Sequence, residues 1–295
     1  MEQDYRRTST GLVEADAERT VAKAKASRPG TSAAGQRRSG RLRSRGALLW
    51  LIRIVILCVI FGVWQLVSGR WLDPFFVSRP SAVFARDGHL LGSDLLYSNL
   101  KVTIVETAWG YVLGAVTATA VGFTLGRIRL LGDASEPLFS AFFSIPKIAV
   151  APLMIVWFGI GFRTDVALSA VLTFYVVFWN AFSGARDVDE DLINAVRLMG
   201  AKRSTLLRTV IVPSALGWVI TGLRMAVPYA LMGAVVGELL AGNQGLGFLL
   251  EDYSQGFDTA GVFSILIILM VIGGGLNFAV VWIERYTQRW KRPAL

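Results

Sequence analysis

Histidine and cysteine are almost absent from this sequence, and their scarcity excludes several kinds of site. His89 is the only histidine, which removes HExxH motifs, Ser-His-Asp triads and most zinc sites. Cys58 is the only cysteine, so the chain cannot form an internal disulfide, and its apolar surroundings suit a small buried hydrophobe. We therefore expect no metal, no cofactor and no hydrolytic active site.

Charged residues are also scarce. They make up 17% of the chain against 54% hydrophobic residues, whereas an average soluble domain carries about a quarter charged residues. This composition indicates lipid rather than water as the solvent. The net charge of +9 is local, because 11 of the 30 Lys and Arg lie in residues 1–47, where hydrophobic periodicity is absent.

The basic N-terminal stretch does not have the composition of a nucleic-acid site. Its last part carries Arg37, Arg38, Arg41, Arg43 and Arg45 with no aromatic residue among them for stacking on bases. We expect no nucleic-acid partner. Residues 1–46 are predicted to be a disordered cytosolic tail beside anionic lipid head groups, followed by one membrane domain over 47–290.

Six apolar segments are long enough to cross a bilayer as helices, which takes roughly 20 residues. They cover about 47–68, 102–126, 135–160, 165–184, 215–241 and 262–282. A cleaved signal peptide is the alternative for the first segment, but about 45 residues precede it and no A-x-A site follows. The predicted fold class is an all-α polytopic membrane protein with six transmembrane helices.

The distribution of Lys and Arg predicts the orientation of these spans. With the N-terminus inside, the inner pieces hold 22 basic residues and the outer pieces hold 5, which agrees with the retention of basic loops in the cytosol. Both termini are therefore expected to be cytosolic. The outer segment after Asp73 begins with two prolines and should continue as a short interfacial helix.

Glycine and proline mark two of the spans. Gly110, Gly114, Gly122 and Gly126 lie close to one helical stripe, which predicts close packing on another helix, in the same chain or in a second copy. In the third span, Pro146 and Pro152 should each kink or break the helix. Broken backbone at membrane depth is tolerated against protein or a water-filled cavity, so this piece could line a passage or serve packing alone.

Several ionisable residues fall inside the predicted spans, where contact with lipid would cost a few kcal/mol each. They are Glu106, Lys147, Arg224 and Glu238. Lys147 and Arg224 could give a pathway for an anion its positive field, or they could form ion pairs. The candidate pathway residues are Pro146, Lys147, Pro152, Arg224 and Glu238.

The segment GNQGLGFLL, residues 242–250, superficially resembles a phosphate-binding loop. No strand precedes it, so we reject a nucleotide site. We expect a turn that breaks the fifth span and packs Leu246, Phe248 and Leu249 back onto the bundle.

The inner segment 187–213 reads DVDEDLINAVRLMGAKRSTLLRTVIVP. Acids in its first turn suit a helix N-terminus, Leu192, Ala195, Val196 and Met199 form one apolar stripe, and Gly200 ends this first helix. A second short helix should stop at Pro213.

This segment resembles the EAA loop of type I ABC importer permeases: EAA, three residues, Gly, nine residues, Ile, one residue, Leu-Pro. The spacing is kept without gaps, and the surroundings SIPKIAVAPLMIVWFGIG and GLRMAVPYALMGAVVGELL resemble the sulfonate, taurine and nitrate branch over about residues 48–290. Asn194 stands in place of the glutamate, and Val196 is bulkier than alanine. The resemblance implies that the residues that couple the chain to an ATPase are Asn194, Ala195, Val196, Gly200, Ala201 and Pro213.

The resemblance implies a transport subunit that is no enzyme itself. Its expected partners are an ABC ATPase homodimer, a second copy of the permease, an extracytoplasmic solute-binding protein and the lipid of a bacterial inner membrane. The sequence agrees with an external ATPase, because none of its six lysines follows a glycine and a P-loop is therefore absent.

The solute is expected to be a small anion such as an alkylsulfonate, taurine or nitrate. Related branches carry thiamine precursors or other heterocycles, which remains an alternative. A stand-alone secondary transporter would be expected to show two similar halves, which the hydropathy does not show. A membrane enzyme or scaffold is a further alternative, against which the lack of His, Cys or clustered carboxylates at one depth counts.

Overall fold

A computed structural model describes residues 34–287, and it describes side chains from 48 to 284. Within this range the chain folds into helices without a strand. The ten helices are α1 Ala34–Val67, α2 Pro80–Leu90, α3 Asp94–Arg127, α4 Arg129–Phe143, α5 Ala151–Phe158, α6 Phe162–Arg186, α7 Glu190–Leu198, α8 Arg203–Ala241, α9 Leu246–Gln255 and α10 Thr259–Thr287.

Most of the predicted tail, residues 1–46, lies outside the described residues. From Ala34 onward it is helical and continuous with α1, whereas the sequence predicts disorder there. Ala, Gln and Arg are compatible with a helix that propagates back from an apolar segment. The apolar part of α1 up to Val63 belongs to the first of two compact units. Its side chains from Leu48 to Ile60 are all exposed, as expected of a helix in contact with lipid.

In the part of the chain that the structure describes, five helices are long and apolar enough to cross a membrane, and there are six spans if one bent pair of helices counts as a span. The pair is α4 and Lys147–Phe158, which meet at an angle of 86°. The break predicted at Pro146 is therefore present. Two spans begin earlier than predicted: α3 begins at Asp94 rather than 102, and α8 begins at Arg203 rather than 215, because polar helical turns precede their apolar parts.

The second unit begins at Trp64, and α6 lies at its centre between α3 and α8. The glycine stripe of α3 faces α6: a Cβ atom at Gly122 would lie 2.7 Å from the Phe178 carbonyl oxygen. On the other side, a Cβ at Gly222 of α8 would lie 2.6 Å from the Asn180 Cβ. Small residues thus bring both helices onto α6, and the neighbour of the α3 stripe is in the same chain.

An aromatic cluster attaches the bent span to α6. The rings of Phe139 and Phe178 stack with centroids 4.3 Å apart, and Phe143 meets Tyr175 edge to face at 4.5 Å. Such pairs contribute about 0.5–1.5 kcal/mol beyond the area they bury. The first half of the broken span is therefore held firmly up to the residue where the break begins.

Two short helices, α2 and α9, pack beside α10. Arg86 of α2 forms a 2.8 Å ion pair with Asp258, and the Ser264 hydroxyl of α10 donates to the Val83 carbonyl. Next to them, burial raises the pKa of Asp87 above its ordinary value of 3.8, opposed by a hydrogen bond with Ser264. The interfacial helix predicted after Asp73 is thus α2, and it packs on the bundle.

Candidate functional site

The segment 187–213 is built on α7 and the start of α8. The Asp189 side chain caps α7 by accepting a 2.9 Å hydrogen bond from the Asp191 amide, and Glu190 pairs with Arg129 of α4. Gly200 follows α7 with a φ of +81°, a conformation that glycine adopts without a Cβ penalty. A Cβ there would meet no atom within 4 Å, so Gly200 is needed for its backbone conformation and not for close packing.

One face of this segment is buried and the other is bare. A small core forms beneath it from Val188, Ile193, Leu206, Val210 and Ile211, against which Phe123 and Val196 pack. Of the apolar stripe Leu192, Ala195, Val196 and Met199, only Val196 is half-buried, and it is Ile193 that packs into this core. The other three residues of that stripe are exposed.

The exposed face is strongly apolar. Leu198 and Met199 are 89% and 85% exposed at the end of α7, and Leu192 is also exposed. Asn194 and Ala195 lie exposed, whereas Ala201 is half-buried. Apolar side chains bare on a loop beyond the spans, close to exposed Arg197, form a surface suited to a protein partner.

Pro213 does not end a helix, contrary to the prediction. The chain is helical from Arg203 to Ala241, with a π-helical turn at Leu207–Ile211. Pro213 follows that turn as one of the first residues of the regular helix beginning at Val212, where a missing amide donor costs little. Residues 203–213 are thereby continuous with the fifth span, whereas α7 is separated from it by the break at 199–202.

The opposite end of α8 carries the loop 242–247, which three side chains hold by its backbone. Asn99 Oδ1 accepts from the Gly245 amide at 2.6 Å, Thr103 Oγ1 from Leu246 at 2.8 Å, and Glu238 Oε2 from Gly247 at 2.6 Å. Leu246 and Leu249 are buried and Phe248 is half-buried. The loop is thus the turn packed on the bundle that the sequence predicts.

Glu238 belongs to a buried carboxyl cluster that joins three helices. Glu106 of α3, Asp165 of α6 and Glu238 of α8 are each at most 2% exposed. The Glu106 carboxyl lies close to both other acids, and each of the three carboxyl groups has one buried oxygen without a hydrogen-bond partner among the described residues. The cluster therefore connects the loop 242–247 to the three central helices.

This cluster was not predicted from the sequence. Glu106 and Glu238 were singled out separately, and Asp165, which lies at the start of its span, was not considered. The available signal was that Glu106, Asp165 and Glu238 are carboxylates inside apolar segments, where an isolated charge is costly. Their convergence depends on how α3, α6 and α8 pack, which spacing along one helix does not contain.

The break of the third span places Pro146 and Lys147 after the end of α4. Pro152 was predicted to kink the helix, but it lies in the first turn of α5, where proline fits without disturbing the hydrogen bonds. The connection from α5 to α6 runs through Gly159 and Gly161, whose φ angles are +80° and +100°. The third span is thus two short helices joined by a sharp turn.

Lys147 faces a cavity of about 590 Å³ formed by the bent span, α6 and Thr117 of α3. Its ammonium group donates a 2.8 Å hydrogen bond to the Phe143 carbonyl and lies 3.7 Å from the centroid of the Tyr175 ring. The other lining side chains carry no charge. The cavity therefore presents one cation among apolar and aromatic walls.

Arg224 and Glu238, the other charged candidates for the pathway, do not line this cavity. Arg224 lies on α8, half exposed, with a guanidinium nitrogen 3.9 Å from a Glu284 carboxylate oxygen of α10. This is the ion-pair alternative of the sequence analysis. Of the five pathway candidates, the structure brings Pro146, Lys147 and Pro152 together at the break and places the other two elsewhere.

Comparison with known proteins gives consistent matches over most of the chain. Residues 110–292 match the family described as binding-protein-dependent transport system inner membrane component. The riboflavin transport system permease protein RibX of Chloroflexus aurantiacus is 35% identical, over 86% of this chain and 96% of its own length. The putative aliphatic sulfonates transport permease protein SsuC of Bacillus subtilis is 29% identical, over 92% of this chain and 97% of its own.

A solved structure supports the fold. The inward-facing MetNI methionine ABC transporter contains a chain that matches with a TM-score of 0.53 and 21% identity, over 70% of this chain and 97% of that one. The curated relatives are permease subunits and not enzymes. The chain belongs to the family of binding-protein-dependent transport system inner membrane components, and it is a multi-pass permease subunit of a type I ABC importer for a small solute.

Proposed function

We propose that two copies of this chain form the translocation pathway for a small anion, an organic one such as an alkylsulfonate or taurine or an inorganic one such as nitrate. The observation that carries this proposal is Lys147, the only charged side chain among those that line the cavity at the break of the third span. The relative SsuC, named for aliphatic sulfonates, supports the organic anion. An extracytoplasmic binding protein delivers the solute.

An ABC ATPase homodimer drives transport through the segment 187–213. Asn194, Ala195, Val196, Gly200, Ala201 and Pro213 form the coupling site. The exposed Leu198 and Met199 support this assignment, because an apolar surface outside the bilayer requires a partner to cover it. Asn194, which replaces the family glutamate, can offer the ATPase only a neutral hydrogen bond, which is weaker than a charged one.

The coupling segment and both termini lie on the cytosolic side of the bacterial inner membrane. The excess of basic residues in the inner pieces, 22 against 5, supports this orientation. The loop 242–247 and helices α2 and α9 then lie at the outer side, where the binding protein docks.

A heterocyclic solute is the second candidate. The aromatic residues that line the cavity favour it, as does the relative RibX, which is named for riboflavin. Both candidate solutes would use the same cavity and the same coupling segment. They differ in the contact that recognises them: Lys147 for an anion, and the aromatic side chains for a heterocycle.

The test is co-purification of the tagged chain from its native membrane, with mass spectrometry of its partners. Gly200→Val should abolish recovery of an ATPase, because a β-branched residue is strongly disfavoured at a positive φ. Gly159→Val is a matched control, since Gly159 has the same φ to within a degree and equally open surroundings but lies outside the segment. Recovery of the wild-type chain without an ATPase would contradict the proposal.

A further inference from the structure

We infer that the cavity beside Lys147 is a binding site for an aromatic anion, that is, a planar ring system carrying one sulfonate, carboxylate or phosphate group. The inference rests on the proposed function: it keeps an anionic solute and replaces the aliphatic and inorganic examples given there by an aromatic anion.

Lys147 is held in place as an anion receptor. Its ammonium group donates to the Phe143 carbonyl, one of the last carbonyls of α4, and a cation there also complements the negative end of the helix dipole. The Tyr175 ring covers another side of the ammonium at 3.7 Å. An ammonium group has three donors, so the hydrogen bond to Phe143 leaves donors for a ligand in the cavity.

The walls provide rings and almost no other polar contact. Thr117 has the aliphatic hydroxyl among the lining residues, and it donates to the carbonyls of its own helix, at 2.7 Å for Leu113. The lining aromatic residues are Phe142, Phe143, Trp157, Phe174 and Tyr175. Phe142 and Trp157 are more than half exposed, and the cavity opens on their side. A ligand in the cavity therefore has one charged contact and otherwise meets apolar and aromatic surface.

This chemistry separates the possible anions. The volume of about 590 Å³ suits an organic ligand, whereas nitrate would leave the apolar walls uncovered and would lose its hydration to a single ammonium group. The ammonium of taurine would find no acid among the lining residues. An aliphatic sulfonate fits the charge but cannot stack, and stacking on rings is worth about two- to tenfold in affinity.

The probe is naphthalene-2-sulfonate, and binding to the purified full chain in phospholipid nanodiscs is measured by equilibrium dialysis, with empty nanodiscs subtracted. Octanesulfonate, which has the same charge and a flexible chain, is the comparison ligand. We expect the aromatic sulfonate to bind several-fold more tightly, and taurine and nitrate not to compete.

Three variants locate the binding. Lys147→Met should weaken naphthalene-2-sulfonate binding tenfold or more, whereas Lys147→Arg should retain most of it. Trp157→Ala, at an exposed position that does not endanger folding, should weaken it several-fold. The matched control is Lys101→Met, which removes an exposed lysine of α3 that does not line the cavity.

Equal binding by Lys147→Met and wild type would overturn the inference and indicate a groove filled by lipid chains. Tighter binding of octanesulfonate would overturn the aromatic preference. Absence of any binding, in a chain that still recovers its ATPase from the membrane, would overturn this inference and leave the proposed function standing, so the two failures are distinguishable.

Discussion

The two ends of α8 are built in opposite ways. At the end near Ala241, three side chains pair with the amides of the loop 242–247, and a Cβ at Gly245 would lie 2.6 Å from a Glu238 carboxylate oxygen. At the end near Arg203, Leu198 and Met199 are bare, and a Cβ at Gly200 would meet nothing within 4 Å. The first end is completed within the chain, whereas the second leaves an apolar surface uncovered, which we propose that the ATPase covers.

A matched pair of glycine substitutions tests this contrast with the largest expected effect. Both Gly245 and Gly200 have a positive φ, but only Gly245→Ala adds a clash with Glu238. We expect Gly245→Ala to lower the free energy of unfolding by about 2–5 kcal/mol and Gly200→Ala by about 1 kcal/mol. Thermal denaturation of the two purified variants in one detergent measures the difference, and equal melting temperatures would refute it.

Removal of the carboxyl group of Glu238 should have the next largest effect. Glu238→Ala leaves the Gly247 amide without its acceptor and opens a cavity in the cluster, at a cost of about 2–4 kcal/mol. Glu238→Gln keeps an acceptor for that amide and should lose clearly less. The measurement is the same denaturation, with Glu251→Gln, on α9 outside the cluster, as the control. A glutamine variant as unstable as the alanine variant would contradict the assigned hydrogen bond.

Substitutions at the exposed end near Arg203 should leave stability unchanged and weaken binding of the ATPase. The double variant Leu198→Ser and Met199→Ser changes two side chains that contact almost nothing, so its melting temperature should equal that of wild type. The ATPase recovered with it should fall at least tenfold, because apolar area at the interface is lost. Leu130→Ser, which replaces another strongly exposed leucine outside 187–213, is the matched control. Normal ATPase recovery by the double variant would place the contact elsewhere.

Asp87 is a weak point of the well-packed end and gives the smallest effect. Burial raises the pKa of Asp87 in the folded chain. The contribution of Asp87 to the free energy of unfolding is therefore fully present below the ordinary pKa of 3.8 and is lost as the pH rises through the raised pKa. Asp87→Asn should therefore raise the melting temperature slightly at neutral pH and flatten its dependence on pH. Parallel pH profiles of variant and wild type would show that Asp87 makes no such contribution.

The sequence predicts those features that depend on local pattern. Hydropathy predicts the six spans, Pro146 predicts the break in the third span, and Gly200 predicts the end of α7. Each of these features follows from a residue and its immediate neighbours in the sequence. The glycine stripe predicts a close contact but leaves its partner open, since helical spacing does not say which helix approaches.

The features that the sequence does not predict depend on long-range packing. Asp165 joins Glu106 and Glu238 only through the arrangement of three helices, and the face that α7 buries is decided by the core under Ile193. Pro213 reads as a stop signal, but the π-helical turn before it keeps the chain helical. Likewise, Pro152 lies in the first turn of a helix, because the preceding helix ends before the break at Pro146 and a new helix begins after it.

Hydrogen exchange of the full chain in nanodiscs, followed by mass spectrometry with and without the ATPase, tests the contrast between the two ends most directly. We expect fast exchange in residues 190–200 that slows when the ATPase is added, and slow exchange in residues 245–250 that does not change. Slow exchange in 190–200 without the ATPase, or a change confined to 245–250 on its addition, would contradict it.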